Sequence, residues 1–361
     1  MEIKRVTIVG LGLIGGSLGR AMVKLGYDVT AVDQDQAALD KGVALGAACR
    51  GTRDLADGIT NAQLIFLAVP VGSAVDILRQ MTDFLPPDII VTDVGSVKSE
   101  IVHLAEELVD GQVNFVGGHP MAGTEHSGID GADPLLFVNA YYVLTPGAKC
   151  SGSAVEVVAD IVRKLGAFPV IMDALIHDRA VATLSHLPHL LAVALAQTAG
   201  TLELKQPGSI KLAAGSFRDG TRVVASSPVM WQDICVANQP MILEALQTFR
   251  HTLAELERAV VAKDGAAIAN AFIAAGKVKQ TSTHKFGEEI AELAVSIPDA
   301  PGALGQLAQA LGCAGINIVG IEILHSREGL PGSVVLSFQD KDTADAASTV
   351  INSLHIPVQA R

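Results

Sequence analysis

The 361-residue chain has room for two or three domains, and its 49% hydrophobic content argues against a disordered protein. A net charge of −12 argues against nucleic-acid binding, which needs a basic face to displace counterions, and more weakly against an anionic membrane surface. An anionic substrate stays admissible where a few cations are placed locally. The four cysteines, Cys49, Cys150, Cys235 and Cys313, form no CxxC pair and read as reduced thiols.

Lys4 and Arg5 followed by the apolar stretch Val6 to Gly16 mimic a leader peptide, but that stretch is itself a glycine fingerprint. The longest apolar run elsewhere, Leu190 to Ala196, is far shorter than the roughly 18–20 residues of a membrane span. The expectation is a soluble, cytoplasmic protein with no membrane segment.

From residue 4 to 173, short β-branched runs alternate with helical patterns. Predicted strands are Arg5–Val9, Asp28–Val32, Leu64–Val69, Ile89–Asp93, Asn114–Val116, Tyr141–Leu144 and Pro169–Met172. Predicted helices include Gly15–Leu25, Gln36–Leu45 and Lys98–Leu108. This alternation predicts an α/β doubly wound, mainly parallel sheet over residues 1–173. Residues 174–286 read as all-helical, broken at Pro188, Pro207–Gly208, Gly215–Gly220 and Pro228, with apolar faces suited to a dimer interface. Residues 290–361 read as βαββα with a final short strand, a ferredoxin-like α+β order.

Five motifs carry chemistry. Gly10-Leu11-Gly12-Leu13-Ile14-Gly15 follows a strand and opens a helix. Gly10 permits the turn, Gly12 the approach of a pyrophosphate, and Gly15 close helix–strand packing, with the phosphates at the helix N-terminus. Asp33 ends the second strand, placed to bind ribose hydroxyls and repel a 2′-phosphate, which favours NAD over NADP. In Asp93-Val94-Gly95-Ser96-Val97-Lys98, Ser96 either caps the next helix or bonds substrate or nicotinamide. In Gly117-Gly118-His119-Pro120-Met121-Ala122-Gly123-Thr124-Glu125, His119 can take a proton from a hydroxyl while hydride leaves the same carbon. Glu125 orients a base, gates the site, or is simply exposed.

In Ser185-His186-Leu187-Pro188-His189 the two histidines lack a third ligand at metal spacing. His189 reads as a substrate contact with His186 supporting, unless both are buried and bonded to backbone. In Gly215-Ser216-Phe217-Arg218-Asp219-Gly220-Thr221-Arg222, a guanidinium can clamp a carboxylate; Arg222 is the first choice and Arg218 the second, against a surface salt bridge.

These motifs in this order resemble the prephenate dehydrogenase family of tyrosine biosynthesis, GGHPMAG most specifically. The resemblance spans residues 4 to 285 and includes Pro228-Val229-Met230-Trp231-Gln232-Asp233-Ile234. The tail, with Ser296-Ile297-Pro298-Asp299-Ala300-Pro301-Gly302 and Gly315-Ile316-Asn317-Ile318, looks like an ACT domain, a module that commonly binds amino acids. The resemblance implies hydride transfer from the ring carbinol carbon of prephenate to NAD, with loss of carbon dioxide and aromatisation to 4-hydroxyphenylpyruvate. It implies His119 as the base, Ser96 as its orienting partner, and Arg222 with His189 on a substrate carboxylate. Glu125 would sit in a gate or polar network. The helical faces predict a homodimer, and the ACT-like tail predicts an effector, tyrosine or else phenylalanine or another amino acid, near Asp299, Ala300, Gly302, Ala303, Leu304, Asn317 and Ile318. Arogenate remains the alternative substrate, and an amino-acid-sensing regulatory protein the distant one.

Overall fold

The computed structural model describes residues 3–86, 89–108, 113–123, 128–283, 291–298, 300–324, 332–354 and 356–360. The chain forms two compact units, Met1–His251 and Thr252–Arg361.

Eight strands run through the first unit: β1 (Arg5–Val9), β2 (Asp28–Val32), β3 (Arg50–Thr52), β4 (Leu64–Leu67), β5 (Ile90–Asp93), β6 (Asn114–Pro120), β7 (Tyr141–Pro146) and β8 (Phe168–Ile171). Their order is β3-β2-β1-β4-β5-β6-β7-β8, parallel except for the β6–β7 pair. Strand order reverses between β1 and β4, where ligands bind in doubly wound sheets. One apolar cluster, including Ile8, Leu18, Met22 and Phe66, covers one face. Ile65, Leu67, Leu78 and Val91 belong to the cluster on the other. Residues next to each other on β4 therefore serve opposite cores, which is why its four positions are all apolar and buried.

Two strands differ from the sequence reading. The strand at Asn114 runs on to Pro120, because β7 pairs antiparallel with it and His119 sits opposite Val143. His119 is thus a strand residue. The short strand β3 had no sequence signal: Arg50-Gly51-Thr52 lacks apolar alternation and is held by pairing with β2.

The helical part of this unit starts at Ala174, where the Asp173 carboxylate accepts from the N–H groups of Leu175 and Ile176. Pro188 does not break the path. Ala182–His186 forms a π turn between the helices Ala174–Val181 and Leu187–Lys205, giving 32 continuous helical residues. A proline lacks an N–H and its ring crowds the preceding turn; starting the second helix with Pro188 in its first turn removes the conflict. By length and composition alone this stretch is long and apolar enough to cross a membrane, which the apolar-run count from sequence did not reveal. Large apolar side chains on this stretch and just after it are uncovered, Leu204 at 86% and Leu212 at 85% exposure.

The second unit contains the helix Gly265–Thr283, then β9 (Ala291–Ile297), a helix Ala303–Cys313, β10 (Gly320–Leu324), β11 (Gly332–Phe338), a helix Lys341–Ser353 and β12 (Val358–Ala360). The four strands form an antiparallel sheet ordered β10-β11-β9-β12. Leu293, Val295 and Ile297 alternate along β9 and pack with Leu307, Leu311, Leu336, Phe338 and Ile351.

The glycine turn after β1 leaves no slack. A Cβ on Gly15 would sit 2.0 Å from the Gly10 carbonyl oxygen, and one on Gly10, itself at φ +98°, 2.4 Å from that of Ala68. Both obstacles are backbone. Gly15→Ala is expected to destabilise the first unit by about 1–3 kcal/mol, the usual range for overpacking, read as a lower urea midpoint at unchanged slope.

Candidate active site

The Gly10 N–H donates to the Val32 carbonyl at 2.8 Å, closing the turn onto β2. The Asp33 carboxylate accepts from Leu11 N–H at 2.7 Å and from Asp35 N–H at 2.9 Å. It therefore braces the glycine loop and is not a solvated strand end. Each oxygen retains a further lone pair for a ribose hydroxyl. Gly12 differs from Gly10 and Gly15: an added Cβ meets nothing within 4 Å. Among the described residues no atom fills the space before Gly12, and the helix Leu13–Lys24 opens beside it without a side-chain cap. Leu13 and Ile14 begin that helix, so their N–H groups are among those without helical partners. This loop fits a dinucleotide pyrophosphate.

At the carboxyl edge of the sheet, a chain of hydrogen bonds defines His119. Its Nδ1 lies 2.8 Å from Nε2 of His177, and Nδ1 of His177 lies 2.8 Å from Oδ1 of Asp178. Asp178 also accepts from the backbone N–H groups of Lys98 and Ser99, at 2.8 and 2.7 Å. As a carboxylate it can only accept, so His177 donates from Nδ1 and receives at Nε2. His119 must then donate from Nδ1, which leaves the lone pair on its Nε2 to take a proton. Burial, then the nearby His177, Lys98 and His186, hold the His119 imidazole well below the ordinary histidine value, so it is neutral at pH 7. Burial pushes the Asp178 carboxyl up, but the bonds from His177, Ser99 and Lys98 outweigh this and keep it below the usual carboxylate range.

Asp178 thus caps the helix Ser99–Leu108, a task Ser96 was a candidate for. Ser96 is half-buried on the loop after β5, three residues before that helix. The hydrogen bond that orients His119 is the one it donates to His177, and among the described residues none joins it to Ser96.

His186 is buried, with Nδ1 3.2 Å from Asn238 Nδ2, which also donates to the Asp178 carbonyl at 2.9 Å. Burial pulls its pKa down to about 4. His189 donates from Nδ1 to the Ser185 carbonyl at 3.0 Å and stacks on Trp231 with ring centroids 3.8 Å apart. His186 meets the same indole edge-on at 5.8 Å. The π turn places both histidines against one aromatic ring. Arg218 lies in the helix Gly215–Thr221 and donates from Nη2 to the Ala213 carbonyl at 3.0 Å, a local structural bond. Arg222 opens the next turn, Arg222–Ala225, with its side chain exposed. Glu125 and Asp299 lie outside the described residues.

Sequence reading missed His177, Asp178, Asn238 and the Asp93–Lys98 pair as site members. Only one hint existed for the first two: an ionisable pair inside an apolar helix, Ala174-Leu175-Ile176-His177-Asp178.

A Rossmann sheet with a neutral, oriented imidazole at its carboxyl edge is the apparatus of a dinucleotide-dependent dehydrogenase. Residues 18–171 match the family model of the prephenate dehydrogenase nucleotide-binding domain, and residues 173–273 that of the prephenate dehydrogenase dimerization domain. A prephenate dehydrogenase of Bacillus subtilis is 32% identical over 96% of this chain and 95% of its own length. An A. aeolicus prephenate dehydrogenase solved with hydroxyphenyl propionate and NAD+ is 29% identical, with a TM-score of 0.71 over 79% of this chain and 99% of that one. The Synechocystis arogenate dehydrogenase structure is 32% identical, with a TM-score of 0.70 over 77% of this chain and 100% of that one. The chain belongs to the prephenate dehydrogenase family.

The depressed histidines bear on stability. The unfolded chain takes up protons near the ordinary value of 6.5, whereas folded His186 holds out to about 4 and His119 also titrates well below 6.5. The unfolded state then binds more protons, so stability falls as pH drops through this window and rises with pH across it. Denaturant midpoints followed from pH 7 downward should fall, and His186→Gln should flatten the dependence between about 6.5 and 4.

Proposed function

We propose that this protein catalyses the NAD-dependent oxidative decarboxylation of prephenate to 4-hydroxyphenylpyruvate. The observation that carries this reading is the His119–His177–Asp178 chain at the carboxyl edge of the dinucleotide sheet. The turn at Gly10, Gly12 and Gly15 and the Asp33 carboxylate would hold NAD, which supplies the hydride acceptor when bound.

His119 Nε2 takes the proton of the ring hydroxyl as the carbinol carbon is oxidised. The positive charge that develops on its ring is stabilised there by the hydrogen bond to His177, which Asp178 holds in orientation. Ser96 bonds near that hydroxyl. Arg222 holds a substrate carboxylate, helped by His189, with Glu125 assigned to a gate or polar network and Arg218 and His186 to supporting substrate contacts. Loss of the ring carboxylate as carbon dioxide yields an aromatic ring, so the protein mainly positions the reactants.

The dimerization-domain match and the uncovered apolar side chains of residues 174–251 support a homodimer in which a second copy, not lipid, covers those faces. The domain limits we assign are 1–173, 174–286 and 290–361, the first supported by the change of family model between residues 171 and 173. Arogenate is the second substrate reading, favoured by the 32% identity to an arogenate dehydrogenase.

The tail we assign as a ferredoxin-like ACT module, supported by its βαββαβ order and antiparallel sheet. Tyrosine would bind it near Gly302, Ala303, Leu304, Asn317 and Ile318, with Asp299 and Ala300 alongside. Gly302, at φ +90°, leads into the helix Ala303–Cys313.

Purified protein with NAD should reduce the cofactor when given prephenate, arogenate being offered in parallel. No turnover of either by folded protein would overturn the reading. Arg222→Ala is expected to raise the KM for prephenate by an amount worth about 1.5–3 kcal/mol, with a smaller change in kcat. Millimolar tyrosine should lower activity or raise Tm; no effect on either would remove the effector assignment.

A further inference from the structure

Behind His119 lies an ion pair that the proposed chemistry does not use. The Lys98 ammonium is fully buried, and the Asp93 side chain is 2% exposed. Lys98 Nζ bonds Asp93 Oδ2 and also donates to the Gly118 carbonyl, at 2.8 Å. Asp93 Oδ1 accepts from Gly118 N–H at 3.0 Å, and Oδ2 from Gly95 N–H at 2.8 Å. Both backbone groups of Gly118 are therefore taken by the pair, one residue before His119. The same pair grips Gly95, one residue before Ser96. The Lys98 backbone N–H is held by Asp178, the far end of the histidine chain. Around this knot there is no room to shift. A Cβ on Gly118 would meet the Asp93 carbonyl oxygen at 2.5 Å, and one on Gly95 would meet Asp93 Oδ2 at 2.9 Å.

A buried ion pair is a poor way to gain stability, since desolvating both charges costs about what their attraction returns. Its value lies in directed bonds and in a fixed charge. We propose that Lys98, paired with Asp93, is a positioning residue for the dehydrogenation: it ties the Ser96 loop to the His119 strand and keeps a positive charge behind the imidazole. This rests on the proposed role of His119 as the base. The groups facing His119 are His177 and Asp178 from the helix Ala174–Val181, His186 from the π turn, and Lys98 with Asp93 from β5 and its loop. Among them Lys98 is the cation: burial lowers its pKa below the usual lysine value, and the Asp93 carboxylate bonded to it works against that and favours the charged form. Its repulsion adds to burial in keeping His119 unprotonated and ready to accept a proton.

The test is Lys98→Met, which keeps the length and removes the charge, beside Lys98→Arg, which keeps the charge. Histidine ring signals of the full-length protein are titrated by NMR, with His119 assigned by its loss in His119→Asn. In Lys98→Met the His119 pKa should rise by about half a unit or more, and in Lys98→Arg it should stay low. With prephenate and NAD, Lys98→Met should lose at least about tenfold in kcat with little change in KM, and its acid limb should move to higher pH. Should Lys98→Met not fold, Asp93→Asn/Lys98→Met, neutral at both positions, is read in the same way. A folded variant in which His119 titrates as in the wild type overturns the proposal, as does a kcat within about twofold of wild type. A wild type inactive on both substrates would overturn the functional reading alone, because the NMR comparison needs no substrate.

Discussion

The Asp178 carboxylate is where the sheet and the helical segment of the first unit meet. It accepts the first N–H groups of the helix Ser99–Leu108 and the Nδ1 proton of His177, while its backbone carbonyl takes Asn238. Three sequence regions some 60 to 80 residues apart thus converge on one buried residue. A carboxylate in such a place is stable as an anion only because helix N–H groups and an imidazole surround it. Remove those donors and the charge would be expelled or neutralised. The site is built outward from that requirement.

From Asp178 the constraint passes to proton placement. An acceptor-only carboxylate dictates the tautomer of His177, and His177 dictates that of His119. The result is a lone pair on one named atom. Burial keeps the ring uncharged, and the second buried pair, Lys98 with Asp93, fixes the backbone of Gly118 just before it. An imidazole on a flexible loop could have the same pKa without the same direction. Here the base sits on a strand paired on both sides, between β5 and β7.

The helical segment serves two ends at once. One side of the stretch from Ala174 carries His177, Asp178 and His186 into the site, and the π turn lets Pro188 follow without a break. The rest leaves leucines and valines uncovered, a surface a single chain does not satisfy. In the second unit the alternation along β9 accounts for its own separate core.

The sequence by itself determined the parts whose physics is local. Apolar runs between helical patterns dictated the doubly wound sheet, because a strand covered on both faces has no polar side to show. The glycines of the first turn could be read because no other residue adopts that backbone or permits that approach. His119 was legible from the glycines before it. Only the tertiary structure decided what surrounds it. The cap on the helix at Ser99 comes from a residue 79 positions away, not from nearby Ser96. His177 and Asp178 look like ordinary polar residues of a helix until packing buries them. Nothing in Val94-Gly95-Ser96-Val97-Lys98 shows that the lysine side chain folds inward onto Asp93. Hydrogen-bond partners and burial are properties of chain segments brought together, and no spacing along one segment encodes the other end of the bond.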